Sequence, residues 1–284
     1  GSEMCIRDSR FTATGVYSWQ NYMYETLSIS GNGFANDETG AWDMGQANRE
    51  TVEYGSDKYE NSLISWTGRV TYAYKDRYLL TATARYDGSS RFGENNKWGF
   101  FPSIGLAWRA SEEKFLAGNK VITNLKVRGS FGVTGNQEIG NYKSLAQLKV
   151  DNYIYNDTEI QGFYETIGNP DLKWERANQF DIGIDLSLWN RIHVTADYYH
   201  RKTSDLLYNV PIPSTSGFSS MLSNVGSVLN KGWELSITGN IIDLNDLKID
   251  ATVNLSRNTN KIKELYNDVQ SITLKSGLGL SSYL

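Results

Sequence analysis

Between Gln179 and Leu188 the residues alternate without a fault. Phe180, Ile182, Ile184, Leu186 and Leu188 fall in one phase; Gln179, Asp181, Gly183, Asp185 and Ser187 fall in the other. Period two is the signature of a strand, which turns successive side chains to opposite faces, here one apolar and one polar. Trp189-Asn-Arg-Ile192 leaves room only for a tight turn. The pattern then resumes with Ile192, Val194, Ala196 and Tyr198 against His193, Thr195, Asp197 and Tyr199. It returns after a long loop with Trp233, Leu235, Ile237 and Ile241 against Glu234, Ser236, Thr238 and Asn240. A chain patterned this way folds as a sheet of hairpins.

The same reading predicts nine strands: Phe11–Trp19, Ser62–Tyr74, Tyr78–Tyr86, Trp98–Trp108, Thr123–Val133, Ala177–Trp189, Ile192–Thr203, Lys231–Ile241 and Leu247–Arg257. Pro102 lies in the apolar phase of its strand, and an interior proline predicts a local irregularity there. Ser111-Glu-Glu-Lys-Phe-Leu116 suits a helical turn. Residues 21–61, 134–176 and 204–230 read as long loops, the second with room for one short hairpin.

The connections alternate along the chain. Short ones fall at 75–77, 110–122, 190–191 and 242–246, and long ones at 21–61, 87–97, 134–176 and 204–230. An up-and-down antiparallel sheet with turns on one side and loops on the other produces this order, as transmembrane barrels do. Strands of about nine to thirteen residues match the roughly 9–11 that a tilted strand needs to cross a bilayer. Tyr72, Tyr74, Tyr78 and Trp108 sit in the apolar phase beside short turns. Trp66, Tyr86, Trp98 and Trp233 sit in that phase towards the long loops, so the rings form two bands like interfacial girdles. A mean hydropathy of −0.47 does not oppose this, because alternation hides a lipid face from a sliding window. Two readings stay open at this point: a transmembrane barrel segment, or a soluble or secreted β-rich carbohydrate-binding module. They differ in what the apolar phase meets, lipid or a second sheet.

Composition excludes some functions. A net charge of −4 and pI near 5.4 argue against a nucleic-acid surface. A single cysteine, Cys5, cannot form an internal disulfide. It lies in residues 1–9, which carry neither strand alternation nor a signal-peptide core; they read as an addition foreign to the fold, with residues 10–284 as the barrel portion. No catalytic constellation, cofactor motif or metal-ligand spacing stands out. His193 and His200 are seven residues apart on a strand, hence on opposite faces. A glycosidase would need two carboxylates about 5 to 10 Å apart across a cleft, and none can be nominated. Arg69, Arg85, Lys126, Arg128, Asp181, Asp185, His193 and Asp197 fall in the polar phase. They are expected to face a lumen, with the three aspartates hydrogen-bonding across it to Arg69, Arg85, Lys126 and Arg128. Among the long loops, Trp42, Tyr54, Tyr59, Tyr153, Tyr155 and Tyr164 lie amid Asn, Asp and Gln. Such rings suit sugar stacking or peptide capture, and equally well packing within the loops.

Five stretches carry a resemblance: Asn96-Lys-Trp-Gly-Phe-Phe-Pro-Ser103; Leu125-Lys-Val-Arg-Gly-Ser-Phe-Gly-Val-Thr-Gly-Asn-Gln137; Asn169-Pro-Asp-Leu-Lys-Trp-Glu175; Asp197-Tyr-Tyr-His-Arg-Lys-Thr-Ser-Asp-Leu-Leu207; and Asn224-Val-Gly-Ser-Val-Leu-Asn-Lys-Gly-Trp-Glu-Leu235. In this order they resemble the SusC/RagA family of TonB-dependent outer-membrane transporters of Bacteroidetes-type bacteria. The resemblance implies a large barrel holding an N-terminal plug, a TonB-contacting segment ahead of the plug, and a SusD-like surface lipoprotein over the outer loops. It also implies import of oligosaccharides or peptides and a place in outer-membrane lipid. Plug, TonB-contacting segment and later strands find no counterpart in this sequence. The expectation is therefore an all-β chain, an internal segment of an up-and-down barrel with two unpaired sheet edges.

Overall fold

The computed structural model describes residues 2–6, 8–36, 38, 42–155, 158–244, 246–266, 273–275 and 281–283; within these, the side chains of 2–6, 149–153, 155, 159, 162–166, 243, 273–275 and 281–283 are not described. Ten strands form one antiparallel sheet: β1 (Ser2–Ile6), β2 (Ser9–Ser30), β3 (Glu53–Tyr74), β4 (Tyr78–Ser89), β5 (Trp98–Arg109), β6 (Ile122–Asn136), β9 (Glu175–Leu188), β10 (Ile192–Ser204), β13 (Ser227–Asp243) and β14 (Lys248–Glu264). They are neighbours in chain order. The interruptions are the hairpin β7 (Gln147–Tyr155) with β8 (Thr158–Thr166) and the hairpin β11 (Leu207–Pro211) with β12 (Ser220–Asn224), each a ladder of its own. A last short ladder joins β15 (Thr273–Lys275) to β16 (Ser281–Tyr283). Among the described residues β1 and β14 each pair on one side only, so the sheet is open.

All nine expected strands are present, several of them longer. β2 continues to Ser30 and β3 begins at Glu53, so the loop expected over 21–61 shrinks to 31–52. Above Trp19 and Ile64 the residues lose their apolar phase, and with it the signal that marks a strand. β13 likewise starts at Ser227, and β14 runs on to Glu264. Ile241 is not paired in phase: the register shifts between Asn240 and Ile242, leaving it as a bulge. Residues 1–9 also depart from expectation. Ser2–Ile6 pairs with β2 as an edge strand, which needs backbone groups rather than alternating side chains.

Pro102 leaves one ladder intact and ends the other. β4 and β5 pair through Ala84↔Pro102 as far as Gly88↔Trp98, whereas β5 and β6 pair only from Arg109↔Lys126 to Ser103↔Gly132. The missing N–H marks the last rung on the β6 side. At the other end of the strands two tight turns repeat one geometry. Lys75 and Asp76, and Trp189 and Asn190, have positive φ, and Arg77 N–H and Arg191 N–H donate to the carbonyls of Tyr74 and Leu188 at 3.0 and 2.9 Å. The Ser111 segment opens as a short 3-10 turn over Ala110–Glu112.

The two faces are filled in an inverted way. Among the described residues the apolar phase meets no second sheet: Phe100 is 52% exposed, Leu106 58% and Phe180 45%, and their neighbours are similar. Its rings form the two expected rims. Trp66 packs on Trp98 at 5.4 Å and Tyr86 on Trp98 at 5.1 Å near the long loops; Tyr74 stacks on Tyr78 at 6.4 Å beside a tight turn. From Tyr78 to Tyr86 is about 26 Å along β4, or about 20 Å once the strand tilts by roughly 40°. That approaches the roughly 25 Å apolar band of a membrane barrel. A soluble module would bury this face, so the membrane reading stands and the β-rich binding module does not.

The buried apolar cluster lies instead at the long-loop end. Phe92, Phe101, Val133, Ile139, Leu172 and Trp174 pack together there, with Phe92 at 1% and Leu172 at 0% exposure.

Candidate functional site

Two regions carry polar chemistry: the polar face of the sheet and the long-loop end above it. On the polar face, Arg128 of β6 reaches over β9 to two carboxylates. Its Nε donates to Asp185 Oδ2 at 3.2 Å and its Nη2 to Asp197 Oδ2 at 2.8 Å. Lys126 Nζ stands 3.8 Å from Asp185. Gly183 makes the crossing possible, because a Cβ there would overlap both Asp197 Oδ1 and the guanidinium. The cluster therefore spans three strands, and its charges satisfy one another at half-buried positions.

The other expected pairings divide differently. Asp181 accepts from Ser130 Oγ at 3.2 Å and Gln179 Nε2 at 2.9 Å, with no cationic partner among the described residues. Arg85 is bound by Asp87 (Nε to Oδ2, 2.7 Å) and by Ser65 (Nη2 to Oγ, 3.1 Å). Arg69 Nε donates to Thr83 Oγ1 at 3.3 Å. So Asp185 and Asp197 meet cations as expected, while Asp181, Arg69 and Arg85 take nearer partners along or beside their own strands. His193 shares a 2.9 Å hydrogen bond between its Nδ1 and Ser187 Oγ.

The long-loop end is tied together by Asn169-Pro-Asp-Leu-Lys-Trp-Glu175. Leu172 and Trp174 insert into the buried cluster, where Trp174 meets Phe92 at 4.8 Å and Phe101 edge-on at 5.2 Å. Trp174 Nε1 donates to Lys97 carbonyl at 3.1 Å, so the buried indole keeps its partner. Gly93 lies so close beneath Pro170 that any Cβ would overlap the Pro170 carbonyl. Asn224 then joins this segment to β12: its Oδ1 accepts from Lys173 N–H at 2.9 Å and its Nδ2 donates to Lys173 carbonyl at 2.7 Å. Asn169 Nδ2 adds a bond to Leu222 carbonyl at 2.8 Å. At the start of β9, burial pushes the Glu175 carboxyl up, against a hydrogen bond with Asn136 that pulls it down.

Beside this cluster lies an open cleft of about 760 Å³ between the upper β2–β3 hairpin and the 137–147 loop. Tyr22, Tyr59 and Tyr142 line it, with Asp57, Lys58, Arg91, Asn141 and Gln147. Tyr59 stacks on Tyr24 at 4.8 Å and meets Tyr22 at 6.1 Å. Desolvation first, then the neighbouring Tyr22, pushes the Tyr59 hydroxyl above its ordinary value, which keeps it a neutral hydrogen-bonding group. Tyr142, held at φ +61°, accepts the Glu60 N–H at 3.0 Å and so bridges the two walls. Arg91 is fixed to the loop through Asn141 Oδ1 and Gln137 carbonyl, both at 3.2 Å.

Of the loop rings expected from sequence whose side chains are described, only Tyr59 reaches this cleft. Tyr54 stands on the opposite phase of β3, and Trp42 is 98% exposed. The side chains of Tyr153, Tyr155 and Tyr164 lie outside the described residues. Tyr22, Tyr24 and Tyr142 were missed. The first two do share one phase, which the alternation carried above Trp19 would have revealed.

An open sheet, exposed on its apolar face and rimmed by rings, narrows the choice to a membrane barrel, and comparison with known proteins decides it. The model of the TonB-dependent receptor-like β-barrel family matches residues 7–281. The chain belongs to the TonB-dependent receptor β-barrel family. It is 41% identical over 266 residues to TonB-dependent receptor P39 of Formosa agariphila, covering 92% of this chain and 25% of that protein. It is 39% identical over 224 residues to the TonB-dependent receptor SusC of Bacteroides thetaiotaomicron, covering 76% of this chain and 22% of that protein. Among solved structures, the RagAB peptide transporter superposes with a TM-score of 0.84 at 31% identity, over 96% of this chain and 30% of that one. The SusC/RagA resemblance is therefore borne out, and the chain is an outer-membrane one. It spans about a quarter of the length of the curated relatives it matches.

Proposed function

We propose that this chain is barrel wall of a TonB-dependent importer that takes up oligosaccharides or peptides under a SusD-like lipoprotein lid. The supporting observation is the division of labour across the sheet. One face is apolar and exposed in two ringed rims, and the other carries self-satisfied charges leading up to loops built on a buried core. In this reading Arg69, Arg85, Lys126, Arg128, Asp181, Asp185, His193 and Asp197 line the lumen. Trp42, Tyr54, Tyr59, Tyr153, Tyr155 and Tyr164 are candidates to meet substrate or lid. The driving force enters elsewhere, through the TonB complex, and the chain performs no chemistry of its own: its relatives are receptors and transporters.

The test uses the full-length receptor in its own cells. Uptake should stop on adding a protonophore, and a surface lipoprotein should co-purify with the receptor. Replacing Trp42 and Tyr54 by alanine should lower uptake, lipoprotein retention or both, measured separately. Uptake indifferent to the protonophore, with no lipoprotein retained, would sink the reading.

A further inference from the structure

We propose that the cleft beside β3 binds an extended peptide by adding it as a strand to the free edge of β3. The proposal deepens the importer reading by choosing between its two substrate classes.

β3 pairs with β2 along its whole length but with β4 only from Leu63 onward. Among the described residues, 53–62 therefore have one side without a strand. The backbone groups on that side are identified by what they meet. Ser62 N–H donates to Ser90 Oγ at 2.8 Å, Ser62 carbonyl accepts from Ser90 N–H at 3.0 Å, and Glu60 N–H donates to the Tyr142 hydroxyl. In an antiparallel strand the direction of these groups repeats every second residue, so Lys58 N–H and C=O point the same way, towards the cleft. Loop groups cap the edge at Ser62 and Glu60. At Lys58 no such group stands among the described residues. Its side chain is turned to the other phase, where Nζ pairs with Glu25 Oε1 at 2.5 Å, so what Lys58 offers the cleft is backbone.

An adjacent N–H and C=O on an open edge is the complement of another extended backbone. A saccharide has hydroxyls but not that repeat. Arg91 supplies the second element. Its Nε and Nη1 are committed to the loop, while Nη2 has no partner among the described residues and can meet a carboxylate. The occupant is thus a peptide with a free terminal or side-chain carboxylate. The rings of Tyr22 and Tyr59 form a floor for its side chains, and about 760 Å³ lies within the roughly 300–1,000 Å³ usual for ligand sites.

The experiment is peptide binding to purified full-length receptor, which needs neither lid nor energy, so it stands or falls apart from the importer reading. A tryptic digest of serum albumin is the probe, and the best-retained peptide is then synthesised and titrated. Glu25→Gln breaks the Lys58 side-chain ion pair on the other phase, leaves every N–H in place, and should bind within about twofold of wild type. Lys58→Pro removes an N–H that β2 does not use, and should weaken binding about tenfold, as losing one or two hydrogen bonds does. Arg91→Gln should weaken the acid peptide, and should lose its effect once the carboxylate that Arg91 meets is made an amide, at the C-terminus or on the acidic side chain. Should Lys58→Pro not insert, wild-type receptor is titrated with the peptide N-methylated at every second amide, in both phases, and one phase should lose binding. Equal binding by Lys58→Pro, or by both methylated phases, overturns the proposal. So does retention of maltoheptaose, dependent on Tyr59, with no peptide retained.

Discussion

Two apolar regions of this chain are built from the same kinds of residue and live in opposite ways. The band across β2 to β14 exposes Phe100, Ile104, Leu106 and Phe180 by about half. The cluster around Trp174 and Leu172 hides its side chains almost completely. In water the band would be the obvious core and the cluster a detail. The difference teaches that solvent decides which apolar residues hold a protein together. Lipid already satisfies the band, whose stability comes from the ladders it sits on. The loops stand in water, and only there does burying Phe92, Leu172 and Trp174 stabilise the fold through the hydrophobic effect.

The contrast can be broken first at Trp174. Trp174→Ala in the full-length receptor removes a buried ring and its bond to Lys97, which should cost about 3–5 kcal/mol at the long-loop end. Limited proteolysis should then cut the loops over 90–97, 137–146 and 167–174 while the strands of the ten-stranded sheet stay protected. Protection equal to wild type would mean that the loop core is not what orders this end.

Ile104 sharpens the other side. It is 46% exposed, and on a water-facing surface Ile104→Arg would be nearly neutral. Facing the bilayer between the two rims, it should cost about 2–4 kcal/mol. Equilibrium unfolding into and out of lipid vesicles measures this directly, and a neutral result would put water against the band.

The smallest effect concerns the rim beside the tight turns. Glu113 Oε1 accepts from Tyr78 hydroxyl at 2.7 Å and Trp108 Nε1 at 3.3 Å, and its Oε2 stands 3.3 Å from Arg77 Nη1. The Tyr78 and Trp108 hydrogen bonds hold its carboxyl below the ordinary value of 4.5. A lowered carboxyl stabilises the folded form above the unfolded value, and that contribution is lost as pH falls through the folded one. Acid titration followed by Trp fluorescence should therefore show a transition below pH 4.5 in wild type that disappears in Glu113→Gln. An identical acid limb in both would remove Glu113 from the rim's support.

How much was legible beforehand follows the same division. Residues 62–108 and 177–203 announced themselves because lipid on one side and a polar face on the other impose strict alternation. That alternation placed the rings of both rims, and a proline in phase marked where one ladder stops. Above Trp19 the strand pair leaves the band and Asn21 and Glu25 break the apolar phase, so the pattern that Tyr22 and Tyr24 still share was not followed to Tyr59. Trp42 and Tyr54 looked like their equals from composition alone, yet only Tyr59 was folded into the cleft. The partners of Asp181, Arg69 and Arg85 were misread for a related reason. Period two assigns a face, but the register and the reach of each side chain choose the partner.

By itself, then, the order of residues determined the strands, their two faces, the alternation of turns and loops, and the family to which the chain belongs. These are local or periodic properties, written in every second residue. Tertiary structure alone decided that Arg128 reaches Asp197 across a glycine, and that Trp174 closes over Phe101. It alone brought Tyr142, 82 residues away in sequence, to cap Glu60 on an otherwise open strand edge. Those contacts join segments whose separation no periodicity records. They exist because loops in water must bury what they carry, and where they can do so depends on the whole sheet beneath them.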